Sequence, residues 1–358
     1  MNEFAPVAVP SRVLVVDDAS ENLRILSESL RDSYTIMFAR NGADALRLAE
    51  GDPPPDIILL DVVMPGMNGY EACRRLKESP RTKDIPVIFI TAQDDGVDEA
   101  TGLALGAQDY IKKPFQAALV RNRVASQLEL KRHRDHLNEL VRERTRQLVL
   151  TQEATIHSMA NLAEWRDPET GAHIKRTQNY VRLLALELAK DPKFAGRLTP
   201  DDVSWLYLSA PLHDVGKVAI PDAVLHKPGK LTEEEFEVMK GHATFGHEVL
   251  TSTTDLLGEE SFLAVAGDIA YAHHERWDGT GYPRKLKGED IPLSARLMSV
   301  ADVYDALRSK RVYKPAMPHD PAYAIMREGR GTQFDPDVFD AFDRLQPEFQ
   351  QIADRFED

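Results

Sequence analysis

The sequence has a single cysteine, Cys73, and therefore cannot form an intramolecular disulfide bond. It has no apolar run long enough to cross a membrane and no basic-then-apolar leader at its start. Basic side chains are fewer than acidic ones: the sequence has 44 lysines and arginines and 58 aspartates and glutamates, which give a formal net charge of -14. These absences predict a cytoplasmic protein whose main task is not to hold a polyanion by phosphate contacts.

The apolar content of the sequence is sufficient for two domains. Of the 358 residues, 42% are hydrophobic and 28% are charged. This balance predicts two globular domains with separate cores rather than a disordered chain.

Short apolar runs alternate with amphipathic stretches over the first third of the chain. The apolar runs at 13–16, 57–60 and 87–90 are predicted strands, and 109–111 is the last predicted strand. The amphipathic stretches at 20–31, 42–50, 69–78 and 97–105 are predicted helices. Strict alternation of strand and helix predicts a parallel sheet that is covered on both faces.

A long helix is predicted from about residue 115 to beyond residue 161. Residues 116–161 contain no proline or glycine and are rich in Arg, Glu, Leu and Gln. A loose 3.5-residue spacing relates Leu130, Leu137, Val141, Leu148, Thr155 and Met159. Two interpretations stay open: a parallel coiled coil that joins two copies into a homodimer, and a single helix that lies on its own domains. After residue 165 the chain is predicted to be mostly helical.

Polar side chains cluster where the predicted strands end. Asp17 and Asp18 follow the predicted strand at 13–16 and Asp61 follows that at 57–60, while Thr91 closes the strand at 87–90 and Lys113 follows that at 109–111. Ligands of doubly wound sheets gather at this edge. The set suits phosphoryl transfer to a carboxylate, with Mg²⁺ on the acids and with the hydroxyl and ammonium on the phosphoryl oxygens.

The segments VLVVDD, ILLDVVMPGMNGYE, PVIFITA and GAQDYIKKPF make residues 12–125 resemble the receiver domain of response regulators. The resemblance implies an α/β doubly wound fold with a five-stranded parallel sheet, and a cognate sensor histidine kinase that phosphorylates Asp61. It further implies roles for neighbouring residues: Mg²⁺ binding by Asp17, Asp18 and the carbonyl of Val63, phosphate sensing by Thr91 and Lys113, and an aromatic switch at Tyr110.

Imidazoles and carboxylates recur through the second half of the chain. Glu169 and His173 are four residues apart and are predicted to share one helix face. The other candidates are His213, Asp214, His242, His273, His274 and Asp302. Such donors suit Fe, Mn or Zn rather than Ca, and eight of them exceed the need of one ion. A site with two or three metal ions is predicted, and its natural reaction is phosphodiester hydrolysis.

The segments HDVGK at 213–217 and HHERWDGTGYP at 273–283 make residues 150–350 resemble the HD-GYP family. The resemblance implies an all-α HD-type domain that hydrolyses cyclic di-GMP to pGpG, GMP or both, with Asp214 and Lys217 in catalysis. It also makes all eight candidates metal ligands and admits GGDEF-type proteins as partners. The substrate-binding residues that it implies are Lys217, Gly281, Tyr282, Pro283, Arg311 and Lys314.

The two resemblances predict a domain order: a receiver domain at 12–125, a helical linker at 116–162 and an HD-GYP domain at 150–350. Phosphorylation of Asp61 is predicted to control the metal site, with the sign of the control left open. Two alternatives remain: a signalling adaptor that binds nucleotide without turnover, and a phosphodiesterase for another cyclic dinucleotide or a guanosine polyphosphate. A DNA-binding output is not predicted, because no helix-turn-helix with a basic recognition helix follows the linker.

Overall fold

The protein divides into two compact units, Met1–Thr145 and Arg146–Asp358. The structure is a computed structural model and describes residues 10–91, 104–165, 171–252, 261–309 and 316–356. Most of the helix predicted over 97–105 lies outside these residues.

A parallel sheet forms the centre of the first unit, with strand order β2-β1-β3-β4-β5. Its strands are β1 (Arg12–Val16), β2 (Thr35–Ala39), β3 (Ile57–Asp61), β4 (Val87–Thr91) and β5 (Asp109–Lys112). The predicted five-stranded doubly wound sheet is confirmed. Strand β2 had not been located by apolar runs, because it is an edge strand whose side chains are partly exposed, among them Phe38.

Helices cover both faces of this sheet. They are α1 (Ser20–Leu30), α2 (Gly42–Ala49), α3 (Gly69–Glu78) and the first turns of the long helix α4 (Ala117–Glu164). Alternate residues of β1 separate the two layers: Leu14 packs towards α2 and α3, whereas Val15 packs towards α1 and α4. The strands are apolar throughout because both faces are buried.

The helix α4 is continuous for 48 residues and includes the boundary between the two units. Between its two ends it exposes Leu130, Leu137, Val141 and Leu148, each to more than half of its surface. The long helix is confirmed. A coiled coil along these side chains, and the exact limits of the three predicted regions, stay predictions.

The second unit is built from helices, as predicted. After the end of α4 these are α5 (Gly171–Leu188), α6 (Pro200–Ser209), α7 (Asp222–Leu225), α8 (Glu233–Thr251), α9 (Phe262–Ala272), α10 (Leu293–Arg308), α11 (His319–Glu328), α12 (Pro336–Arg344) and α13 (Gln346–Arg355). Short 3-10 turns occupy Ala210–Leu212, Val215–Ala219 and Gly288–Asp290. Within the described residues, no helix combines the length and the apolar character that a membrane span requires.

Aromatic rings dominate the main core of the second unit. Phe349 of α13 stacks on Tyr180 of α5 with ring centroids 4.4 Å apart, and it meets Tyr304 and Phe342 edge-on. All four residues are fully buried. This cluster fixes α5 and α10, which hold metal-ligand candidates, against the last two helices.

We expect Phe349→Ala to lower the free energy of unfolding of the second unit by about 3–5 kcal/mol, because the buried ring leaves a cavity. All three tryptophans, Trp165, Trp205 and Trp277, lie in this unit, so urea unfolding followed by tryptophan fluorescence reports on it. The control is Ile325→Ala at a partly exposed position of α11, for which we expect a change below about 0.5 kcal/mol. Equal destabilisation by both variants would contradict the assigned core.

Candidate functional site

Three carboxylates meet at the carboxyl edge of the sheet in the first unit. Asp17 and Asp61 are buried and Asp18 is exposed, and one oxygen of each lies within 4.8 Å of the others. The Nζ atom of Lys113 lies 3.0 Å from Asp17 Oδ2 and 3.1 Å from Asp61 Oδ1. The backbone N–H of Lys113 donates to the carbonyl of Thr91 over 2.8 Å, which brings the ends of β4 and β5 together.

The charges of this edge favour a bound cation. Burial and the neighbouring Asp17 raise the pKa of Asp61 to about 6, although Lys113 acts in the opposite direction. One ammonium against three carboxylates leaves an excess of negative charge, and oxygen-only donors are those that Mg²⁺ prefers. The donor set therefore fits the predicted Mg²⁺.

Two further predicted residues of the first unit lie on or just after strands of this sheet. Val63 follows β3 by two residues and is largely exposed. Tyr110 lies on β5, partly buried, with the guanidinium carbon of Arg123 from α4 at 5.6 Å from its ring centroid. Arg123 also forms an ion pair with Asp109 of the same strand.

In the second unit, seven predicted metal ligands come together in two adjoining groups, and the eighth, Glu169, lies outside the described residues. In each group one donor atom per residue lies within 4.8 Å of the others. The first group is Asp214, His242, His273 and His274, and the second is His173, His213 and Asp302. The sequence thus identified residues that the fold places side by side from five separate segments.

Two of these segments approach each other closely at a glycine, Gly216. His213 and Asp214 lie in a turn between two 3-10 helices, and His242 lies on α8. A Cβ atom on Gly216 would come within 2.0 Å of the carbonyl oxygen of His242, so only glycine permits this approach of the turn to α8.

The two oxygens of Asp214 connect the two groups. Oδ1 lies 3.3 Å from Nε2 of His242 and 3.5 Å from Nε2 of His273. Oδ2 lies 3.3 Å from Nε2 of His213 and 2.7 Å from Nζ of Lys217. This carboxylate is therefore positioned to be shared by two cations.

The hydrogen bonds of His242 and His273 define which nitrogen of each ring carries a proton. Nδ1 of His242 donates to the carbonyl of Met239 over 2.7 Å, and Nδ1 of His273 donates to that of Ile269 over 2.9 Å. In the neutral ring, each Nε2 then carries a lone pair that faces the acceptor Oδ1 of Asp214. These three atoms are buried without a hydrogen-bond partner.

Buried acceptors that face one another need a cation to be stabilised. Burial and the neighbouring rings of His273 and His242 lower the pKa of His274 well below its usual value, so this ring is neutral and can also donate a lone pair. Imidazole nitrogens with a shared carboxylate fit transition-metal ions, so the residues present match the predicted metals.

Asp305, which sequence analysis had not identified, supports the second group. Its Oδ2 accepts from Nδ1 of His173 over 2.8 Å and its Oδ1 accepts from Nε of Arg176 over 2.7 Å, in full burial. The contact directs Nε2 of His173 towards His213, 3.4 Å away. The available signal was its position three residues after Asp302, on the same side of α10.

Of the predicted substrate-binding residues, those of the Gly-Tyr-Pro loop lie beside the first group. The Gly-Tyr-Pro loop places the ring of Tyr282 at 4.8 Å from that of His274. Glu275 holds this loop, because its carboxylate accepts from the backbone N–H groups of Arg284 and Leu286. Gly281 packs on the backbone of Glu275 with no space for a Cβ atom, and Pro283 follows Tyr282 in the loop. Arg311 and Lys314 lie outside the described residues.

We expect Asp305→Asn to weaken metal retention by about 10- to 100-fold, because the carboxylate orients His173 without touching the metal position. The measurement is the rate at which a chelator removes manganese from the loaded protein. Asp340→Asn, which removes a surface ion pair with Arg330, is the control. Retention in Asp305→Asn that equals the control, with intact tryptophan fluorescence, would contradict this role.

Comparison with known proteins matches both units. A model of the response regulator receiver domain matches residues 13–125, and a model of the HD domain matches residues 157–338. The chain is 46% identical over 354 residues to a "Probable cyclic di-GMP phosphodiesterase" of Vibrio cholerae serotype O1, which covers 97% of this chain and 80% of that protein.

Two further relatives agree. A "Cyclic di-GMP phosphodiesterase" of the same organism is 58% identical over 208 residues, 58% of this chain and 42% of that protein. The "Cyclic di-GMP phosphodiesterase response regulator RpfG" of Xanthomonas campestris pv. campestris is 37% identical over 354 residues, 96% of this chain and 90% of that protein. The chain therefore belongs to the family of response regulators in which a receiver domain is combined with an HD-GYP domain.

Proposed function

We infer that this protein is a metal-dependent phosphodiesterase that hydrolyses cyclic di-GMP and that phosphorylation of Asp61 controls it. The observation that supports this function best is the pair of largely buried ligand groups joined by Asp214, with the ammonium of Lys217 beside it. Relatives that align over most of this chain are named as cyclic di-GMP phosphodiesterases.

The proposed metal ligands are the seven residues of the two groups together with Glu169, which would hold two or three ions. The mixed imidazole and carboxylate donors favour Fe or Mn. When bound, such ions activate water and offset charge on a phosphodiester.

Catalysis and substrate binding are proposed for residues at and around these ligands. Lys217, held by Asp214, is placed to donate from Nζ to a phosphate oxygen or to protonate the leaving oxygen, which makes these two residues the proposed catalytic pair. Gly281, Tyr282 and Pro283 are proposed to border the substrate. Arg311 and Lys314 are proposed to bind its phosphates. The product is pGpG, GMP or both.

In the first unit, the proposed reaction is transfer of a phosphoryl group from a cognate sensor histidine kinase to Asp61. Asp17, Asp18 and the carbonyl of Val63 would hold Mg²⁺, and Thr91 and Lys113 would bind the phosphoryl oxygens.

The contacts of α4 with β5 support a proposed route for control. Arg123 of α4 pairs with Asp109 and lies over the ring of Tyr110, the proposed switch, so a movement of Tyr110 would change the contacts of the long helix. The exposed leucines of α4 support a homodimer through this helix. GGDEF-type partners and a cytoplasmic location complete the proposal.

We expect protein purified without oxygen to contain about two or three metal ions per chain and to hydrolyse cyclic di-GMP. Asp214→Ala should lower the rate by at least about 100-fold, because both ligand groups lose their shared carboxylate. Asp340→Ala is the surface control. Metal-loaded parent protein that binds cyclic di-GMP without cleaving it would contradict the enzyme and favour an adaptor.

Treatment with acetyl phosphate and Mg²⁺ should change the rate of cyclic di-GMP hydrolysis in the parent and leave Asp61→Asn unchanged, because the amide cannot form an acyl phosphate. Asp32→Asn, at a highly exposed position, should respond as the parent does. A parent rate that does not respond, with phosphorylation of Asp61 verified by mass spectrometry, would rule out the coupling.

A further inference from the structure

Aromatic and cationic side chains extend outward from the first ligand group along α8. The ring of Tyr282, already in contact with His274, meets the ring of Phe236 nearly at right angles with centroids 5.9 Å apart. Lys240, one turn after Phe236, places Nζ at 5.5 Å from the centroid of Phe236 and at 5.8 Å from that of Tyr282. These contacts form a continuous surface from a metal ligand to Phe236.

Phe236 is 45% exposed, although burial of a phenyl ring in the core would stabilise the fold. A single exposed phenyl ring needs no explanation by itself. This ring, however, adjoins the Gly-Tyr-Pro loop and is covered on one side by an ammonium group. Its exposed surface therefore lies where part of a bound substrate would extend beyond the phosphodiester.

The ammonium of Lys240 remains able to bind a ligand. Its Nζ lies 2.6 Å from Oε1 of Glu237, whose side chain is 70% exposed. Such a surface ion pair is weak, so a ligand acceptor can replace it at little cost. The aromatic ring beneath the ammonium also contributes to holding it in place.

An exposed aromatic ring beside a fixed ammonium matches the chemistry of a purine base. Aromatic side chains stack on bases, and guanine presents two acceptors, O6 and N7, on one edge where a lysine can donate. Adenine presents an amino donor at the position of O6, which would oppose the ammonium.

We propose that Phe236 and Lys240 form a guanine subsite, in which Phe236 stacks on a base of the substrate and Lys240 donates to its O6 and N7. The proposal rests on the proposed function, since it requires the phosphodiester to lie at the metal ligands. It assigns the selection of guanine over adenine to two residues of α8 that do not bind metal.

The test compares two substrates of the manganese-loaded protein. Phe236→Ala should raise KM for cyclic di-GMP by roughly tenfold to 100-fold, since stacking on one base is lost. Hydrolysis of bis(4-nitrophenyl) phosphate, which has no base, should stay at the parent rate. The matched control is Val238→Ala, a similarly exposed position on the same helix, which should leave both substrates unaffected.

Lys240→Met tests the selection of the base. The ratio of kcat/KM for cyclic di-GMP to that for cyclic di-AMP should fall by about tenfold, because the donor to O6 and N7 is removed. Glu237→Gln, which removes only the partner of Lys240, should keep the parent ratio.

A KM in Phe236→Ala that equals the parent value, or an equal loss of activity on both substrates, would overturn the subsite. If the parent cleaves no cyclic dinucleotide, the proposed function fails, and calorimetric binding of GMP and AMP then decides the subsite separately. Preferential binding of GMP that Phe236→Ala abolishes would support it, and identical binding by parent and variant would overturn it.

Discussion

The second unit depends on one electrostatic constraint: buried acceptors face one another across a small space. Backbone carbonyls accept hydrogen bonds from Nδ1 of His242 and His273, and in the neutral rings the lone pairs of Nε2 then point at a carboxylate oxygen of Asp214. Such an arrangement is unfavourable by itself and becomes favourable when cations lie between the acceptors. The surrounding helices therefore have to resist the repulsion as well as to position the ligands.

Packing supplies that resistance. Gly216 allows the turn that holds His213 and Asp214 to lie directly on α8, and the aromatic cluster around Phe349 fixes α5 and α10. A chain that relaxed at either place would separate the ligands, because close-packed cores transmit small displacements rather than absorb them. The positions of the metal-ligand candidates therefore depend on the packing of the apolar core.

Sequence analysis anticipated much of this protein because its chemistry is concentrated in short segments. His213 with Asp214, and His273 with His274, are adjacent in the chain, and Asp17 and Asp61 lie at the ends of strands whose apolar runs are easily located. Asp305 was missed because its role depends on the orientation of His173, which only tertiary packing defines.

The other omissions have physical reasons of the same kind. Strand β2 was not predicted because an edge strand with exposed side chains lacks a continuous buried apolar face. In the sequence, Phe236 and Lys240 are an ordinary pair of residues on a helix surface. Only the folded structure shows that both contact Tyr282.

The donor atoms of the two units differ in hardness, and this difference has a physiological consequence. The candidate metal ligands around Asp61 are all carboxylate oxygens, whereas imidazole nitrogens predominate among those around Asp214. Under the proposed function, magnesium would occupy the first site and iron or manganese the second, so the two units would draw on separate metal pools. Under the proposed function, scarcity of a transition metal would stop hydrolysis of the second messenger, whereas phosphorylation of Asp61 would not depend on that metal.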